Sequence, residues 1–411
     1  MFITSAPGKV IIFGEHSAVY NKPAVAAAAS SLRSYLLVKP MESIDDDEPV
    51  LQLNCPNLQF TFNWSMNQLL SIIDSHDLQK DTDTVQLSNS LLNIIDTQLL
   101  SEINNPLQRS AAQCFLYLYL SIVPRDKRTP LQFSLISTLP VGAGLGSSAS
   151  ISVALAQAFL KLNSVTLQDK SLINQWAFIG ETCMHGTPSG IDNTIATFGG
   201  ALQFTKGDPM GPKELHPIKP IVAVLTYTKI PRSTKVLVEG VRELYNTMPT
   251  IIEPLLDSMA TVALKGSTAL ENGQLEEVLQ LVRINHGQLV SLGVSHPGLE
   301  VIRNLTTDLK IGETKLTGAG GGGCALTFLN NSATTIDVEQ FRNTLQEKFN
   351  YQTFETALGG FGCSLLELDQ LTPTRKQQII ELFDVPGPKI SMEQVDNILL
   401  PGGPADLPWI L

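Results

Sequence analysis

The sequence predicts an α+β fold of two domains, and three observations carry that prediction. Strand-like and helix-like segments follow one another without a strict strand–helix–strand order, which separates α+β from a doubly wound parallel sheet. The 411 residues exceed what one ordinary core accommodates, so two units of roughly 200 residues are expected. A proline-rich stretch from Pro209 to Pro220 lies near the middle and marks the expected boundary, giving domains over 1–215 and 216–411.

The elements follow in order. Val10 to Phe13 reads as an apolar strand entering a tight turn at Gly14, Glu15 and His16. The small residues from Pro23 to Ser31 suggest a helix, and Leu32 to Val38 a strand. Met41 to Pro49, with four consecutive acids from Asp45 to Glu48, reads as a solvated loop. Helical periodicity runs through 66–123 with polar breaks, and Leu131 to Ile136 alternates as a strand. A glycine loop then leads into an apolar helix from Ser148 to about Leu162. A helix over Leu172 to His185 and a strand over Phe198 to Phe204 complete the first half. Beyond the prolines, Ile221 to Thr226 is strand-like and Lys235 to Leu281 is mostly helical. Lys315 to Leu329 reads as two short strands around a glycine run, and Phe361 to Leu368 as a further strand.

Composition narrows the function. With 43% apolar and 16% charged residues the chain is globular rather than disordered. A formal charge of −11 and the lack of a Lys/Arg run argue against nucleic acid as a partner. The longest apolar stretch, Cys114 to Val123, is about half of a membrane span. The start, MFITSAPGKV, shows neither a basic leader nor a cleavage site, so a cytoplasmic protein without membrane partners is expected. Five scattered cysteines without a C-x-x-C pair fit reduced thiols better than disulfides or zinc. His76, His185, His216, His286 and His296 lack metal-ligand spacing and read as structural or surface residues.

Three segments carry chemistry. Gly142, Ala143, Gly144, Leu145, Gly146, Ser147 and Ser148 stand between a strand and a helix, where backbone N–H groups and the helix dipole favour an anion. The two serines can cap the helix or reach a phosphate or metal. The loop matches neither the P-loop nor G-x-G-x-x-G, and a plain structural turn is the rival reading. Gly318 to Gly323 holds five glycines in six positions, which close backbone approach to a ligand explains better than a hairpin; a crossing of two backbones is the alternative. Glu181 and Asp192 are the third feature. Phosphoryl transfer needs one carboxylate for a metal and one for the attacking hydroxyl. Ser189 three residues before Asp192 equally fits a capping box. Lys9 precedes a buried strand and by itself signals little.

With these segments in this order, the chain resembles the GHMP kinases, and within them the mevalonate kinases. Pro7 to Tyr20 is similar to their first motif and Pro140 to Ser150 to their phosphate loop. Glu181 to Asp192 and Lys315 to Cys324 resemble the remaining signatures, and the likeness covers nearly the whole chain, with Leu407, Pro408 and Trp409 resembling fungal members. The resemblance implies the two-domain GHMP fold, with its active site in the cleft between domains. It implies ATP as co-substrate, Mg²⁺ as cofactor, and transfer of the γ-phosphoryl group to the C5 hydroxyl of (R)-mevalonate, a step towards isoprenoids and sterols. Carried over residue by residue, Gly142 to Ser148 would cradle the phosphates, and Ser148 and Glu181 would ligate Mg²⁺. Asp192 would be the catalytic base, with Lys9 beside it. Glu15 and His16 would face mevalonate. Thr234 and Arg232 match supporting positions on the substrate side, and Asn57 and Ser137 nucleotide-side positions. Homodimers are common among such kinases. Rivals are another GHMP kinase, acting on phosphomevalonate, galactose or homoserine, and a non-catalytic nucleotide-binding sensor. No added cation cluster or sugar signature supports the first, and the presence of Lys9, Ser148, Glu181 and Asp192 opposes the second.

Overall fold

A computed structural model describes residues 1–41, 48–76, 85–140, 142–165, 169–215, 220–384 and 392–411. The core of the expected acidic loop, Asp45 to Asp47 included, lies outside these residues. The fold is α+β. Among the described residues twelve strands join in one sheet: β1 (Phe2–Phe13), β2 (Ala24–Pro40), β3 (Val50–Cys55), β4 (Phe60–Ser65), β5 (Leu131–Ser137), β6 (Ala201–Phe204), β7 (Lys213–Leu215), β8 (Ile221–Tyr227), β9 (Gly312–Thr317), β10 (Cys324–Leu329), β11 (Gln352–Leu358) and β12 (Ser364–Glu367). The main path runs β4-β3-β5-β2-β11-β8-β10-β9, while β1 pairs with β2 and β12, and β6 with β2 and β7.

The long β2 is the spine, and here the expectation of a helix from Pro23 to Ser31 is corrected. Ala24 to Ala29 form the first half of β2, paired with β1 on one edge and β6 on the other. Ala26 and Ala28 pack against Ile195 and Leu202, whereas Ala27 and Ala29 share a core with Val262 and Ala263. Both faces are covered so closely that methyl groups fill the space, and alanine's high helix propensity is overridden by tertiary pairing. The hairpin β3–β4 also goes beyond the elements expected from sequence, although Leu51, Leu53 and Cys55 alternate inward as a strand requires.

Helices cover the sheet. The first group is α1 (Met66–His76), α2 (Asn89–Ile94), α3 (Pro106–Ile122), α4 (Ser147–Leu162), α5 (Lys170–His185) and α6 (Ile191–Phe198). Leu116, Leu118, Val153, Leu155 and Trp176 lie in their shared core, with Phe115 edge-on to Phe133 at 5.2 Å between ring centroids. The second group is α7 (Thr234–Thr247), α8 (Pro249–Glu271), α9 (Leu275–Ser291), α10 (Pro297–Leu309) and α11 (Thr335–Phe349). The chain then returns: β12 pairs with β1, and α12 (Pro373–Asp384) and α13 (Met392–Leu399) bury Phe383, Val395 and Leu399 against Tyr35 and Leu37 of β2. Among the described residues no helix is long and apolar enough to cross a membrane.

Candidate active site

The second half of β1 and the glycine loop are laced together. The Lys9 N–H donates to the Leu145 carbonyl at 2.8 Å. A Cβ on Gly8 would come within 2.7 Å of that same carbonyl oxygen and 2.3 Å of Leu139, so only glycine lets the strand pass the loop. Gly142, Gly144 and Gly146 have φ of 74°, 80° and 72°, the left-handed region that side chains disfavour. Gly146 is the N-cap of α4 and no side chain caps that helix, contrary to the expectation that a serine would. The first N–H groups of α4 therefore keep their capacity for an anion.

The two acids converge on this helix end. Gly180 lets α5 approach α4, since a Cβ there would lie 2.9 Å from Ser152 Oγ. That approach brings the next residue, Glu181, to Ser148, whose Oγ donates to Glu181 Oε1 at 3.2 Å. Burial, then the neighbouring Asp192 charge, pushes the Glu181 carboxyl up to about 7, against the opposing effects of Ser148 and Lys9. Asp192 stands in the first turn of α6. The capping box does not form, because Gly190 in the left-handed region is the N-cap, and Ser189 Oγ accepts from the Ile191 N–H at 3.4 Å without engaging Asp192. The Asp192 carboxylate is left to pair with Lys9 Nζ at 3.4 Å. The two side chains lean over Gly146, where an added Cβ would meet Lys9 Cγ at 3.2 Å and Asp192 Oδ2 at 3.3 Å. Lys9, Gly146, Ser148, Glu181 and Asp192 thus form one constellation.

The other candidates divide. Asn57 Oδ1 accepts from the Ser137 N–H at 2.9 Å, just before the glycine loop. Arg232 Nη2 donates to the Ala143 carbonyl at 2.9 Å, and its buried Nη1 lacks a hydrogen-bond partner among the described residues. Thr234, the first residue of α7, is exposed. Glu15 is fully enclosed and pairs through Oε1 with Lys315 of β9. Burial raises the Glu15 pKa and lowers that of Lys315, while each charge stabilises the other. His16, at φ 63°, places Nε2 on the Ala319 carbonyl at 2.8 Å, and burial lowers its pKa. Lys315 is the residue that the sequence did not single out. Its only signal was a lysine in the short segment leading into the second glycine run.

The second glycine run is mostly occupied by protein, which corrects the preference for a ligand. A Cβ on Gly320 would stand 2.0 Å from the Val294 carbonyl oxygen, on Gly322 2.8 Å from Ile230, and on Gly323 2.3 Å from the Arg232 guanidinium. Two backbones cross here, fixed by the Gly321 N–H bonded to Val294 O at 2.8 Å. His286 is structural as expected: Nδ1 accepts from the Leu316 N–H at 3.3 Å and Nε2 meets Glu300 at 3.0 Å.

Comparison with known proteins gives the class first. Residues 109–200 match the GHMP kinases N terminal domain and residues 267–350 the GHMP kinases C terminal domain. The protein is an ATP-dependent kinase acting on an alcohol. The mevalonate kinase of Saccharomyces cerevisiae is 46% identical, over 99% of this chain and 99% of that protein. That of Candida albicans is 40% identical, over 93% and 94%. The crystal structure of the Methanococcus jannaschii mevalonate kinase superposes with a TM-score of 0.66 at 21% identity, covering 87% of this chain and 98% of that one. The chain belongs to the mevalonate kinase family.

Proposed function

We propose that the protein transfers the γ-phosphoryl group of ATP to the C5 hydroxyl of (R)-mevalonate, with Asp192 as the base and Lys9 as its electrostatic partner. The Lys9–Asp192 pair at 3.4 Å, placed over the uncapped start of α4, is the observation that carries this reading. An anion at that helix end lies beside a carboxylate and the lysine paired with it, which is what in-line attack by an alcohol requires. Lys9 holds the Asp192 carboxylate in place to accept the hydroxyl proton, and stabilises charge on the transferring group. The N–H groups from Gly142 to Ser148 hold the phosphates.

The residues present fit a magnesium ion. Ser148 Oγ and Glu181 Oε1 lie within 3.2 Å of each other, both hard oxygen donors at the phosphate end of the site. Mg²⁺ held by these two residues would neutralise and orient the β- and γ-phosphates. His16 is assigned to the mevalonate side, whereas Glu15, expected to face mevalonate, is enclosed with Lys315 and would support that side from within; Arg232 ties the phosphate loop to the glycine crossing.

The test is a coupled ADP-release assay with ATP and Mg²⁺, comparing mevalonate, phosphomevalonate, galactose and homoserine, with Asp192→Asn alongside. Turnover on mevalonate alone, lost in the variant while ATP still binds, supports substrate and base together. Turnover on a different acceptor overturns the mevalonate assignment, and an active variant overturns the base.

A further inference from the structure

Arg33, in the middle of β2, is 1% exposed, and each of its five N–H donors has a neutral acceptor. Nε donates to Ser5 Oγ at 2.8 Å, Nη1 to Phe361 O at 3.1 Å and Ser30 O at 3.5 Å, and Nη2 to Gly362 O at 2.6 Å and Ser364 Oγ at 3.3 Å. No carboxylate is among these partners, although the Asp396 carboxyl of α13 is close enough for its charge to act on the guanidinium. Burying a cation in this way carries a desolvation cost of several kcal/mol. What it holds is the turn from Gly360 to Gly362.

That turn is the seat of α6. The Gly200 N–H donates to Gly360 O at 2.8 Å, and the Cys363 N–H to Thr197 O at 3.0 Å. The contact is backbone on backbone. A Cβ on Gly199 would lie 2.3 Å from both Gly360 O and Gly362 N, and one on Gly362 would lie 2.2 Å from Thr197 O. Helix α6 has eight residues, about 12 Å of helix, and its start is tied to α5 by Asn193 Nδ2 donating to Asn174 Oδ1 at 2.6 Å. The C-terminal seat is the other anchor of this short helix, so it helps set where the second residue, Asp192, stands.

We propose that Arg33 is a positioning residue for phosphoryl transfer: by clamping the Gly360–Gly362 turn it fixes α6, and so holds the Asp192 carboxylate against Lys9 and Gly146. The proposal rests on Asp192 being the base. Because misplacing a reacting group by about 1 Å costs on the order of 100-fold, the effect falls on turnover rather than on nucleotide binding.

The experiment compares Arg33→Met, Arg33→Lys and Gly362→Ala with the parent protein and Asp192→Asn. Folded sites are counted by titration with a fluorescent ATP analogue, and kcat is expressed per site. Hydrogen exchange is followed over 191–198 and over α4. Arg33→Met and Gly362→Ala are expected to lose about 10- to 100-fold in kcat per site at unchanged nucleotide affinity. Exchange should quicken in 191–198 and not in α4. Arg33→Lys, with three donors for five acceptors, should recover part of the loss. If Arg33→Met yields no nucleotide sites, Gly362→Ala decides. Parent-like turnover per site in the folded variants overturns the positioning role while Asp192→Asn stays inactive. Activity in Asp192→Asn overturns the base assignment, and with it the premise of the proposal.

Discussion

Glu15, in the turn after β1, and Lys315, on β9, form an ion pair with no side-chain exposure on either partner. Three hundred residues of chain separate them. The pair joins the first motif to the strand leading into the glycine crossing, and His16 adds a second link through Ala319. Glu15 Oε2 finds no hydrogen-bond partner among the described residues, so Lys315 supplies most of its stabilisation.

Removing one member of such a pair strands a buried charge, whereas removing both does not. Lys315→Met should destabilise the protein by about 3–5 kcal/mol in denaturant unfolding. The double variant Glu15→Gln with Lys315→Met should recover much of that loss. Additive single effects would mean that the two groups act independently.

Lys9 is 12% exposed and has Asp192 as its ion-pair partner. Lys9→Met should lower kcat by about 100- to 1,000-fold, the scale of losing one preorganised charge-stabilising donor. The fold should survive, because the strand contact to Leu145 is made by the backbone. Steady-state kinetics and thermal melting measured on the same preparation check both halves.

The Glu181 carboxyl carries a pH signature. Its folded pKa of about 7 lies above the ordinary 4.5, so the native state holds the proton more tightly than the unfolded chain. Stability of the metal-free protein should therefore fall as pH rises from about 4.5 to 7, by on the order of 3–4 kcal/mol in total, and level off above. Glu181→Gln should remove this slope and be more stable than the parent at pH 8, while losing turnover. Adding Mg²⁺ with ATP to the parent should flatten the slope as well. Urea unfolding across pH, with and without Mg²⁺, measures each.

Two loop glycines should respond differently to alanine. Both have positive φ, which costs an alanine about 1 kcal/mol. At Gly142 an added Cβ meets nothing within 4 Å, so the change should stop there. At Gly144 it would lie 2.8 Å from Arg232 Nη2 and compete with that nitrogen's bond to Ala143. Gly144→Ala should weaken ATP binding by at least about 10-fold more than Gly142→Ala, the equivalent of about 1.4 kcal/mol. Equal affinities in a titration with an ATP analogue would rule out the Arg232 contact as the reason.

Much of this protein was legible in local sequence. The long helices α3, α4 and α5 follow from apolar periodicity. The phosphate loop follows from three glycines that only positive φ explains, and the class from three motifs in order. Other features depend on partners distant in the chain, which no window of sequence contains. Ala24 to Ala29 look helical in isolation and are a strand because β1 and β6 pair with them on both edges. The run Gly318 to Gly323 looks like a ligand cradle, yet Val294 and Ile230 occupy the space that side chains would need. Asp192 fits a capping box by spacing, and tertiary structure frees it by giving the cap to Gly190 and bringing Lys9 across from β1. Sequence by itself determined which residues could bind and transfer a phosphate. The tertiary structure decided which of them meet, because hydrogen bonds and ion pairs act over a few ångströms while their members lie up to 300 residues apart.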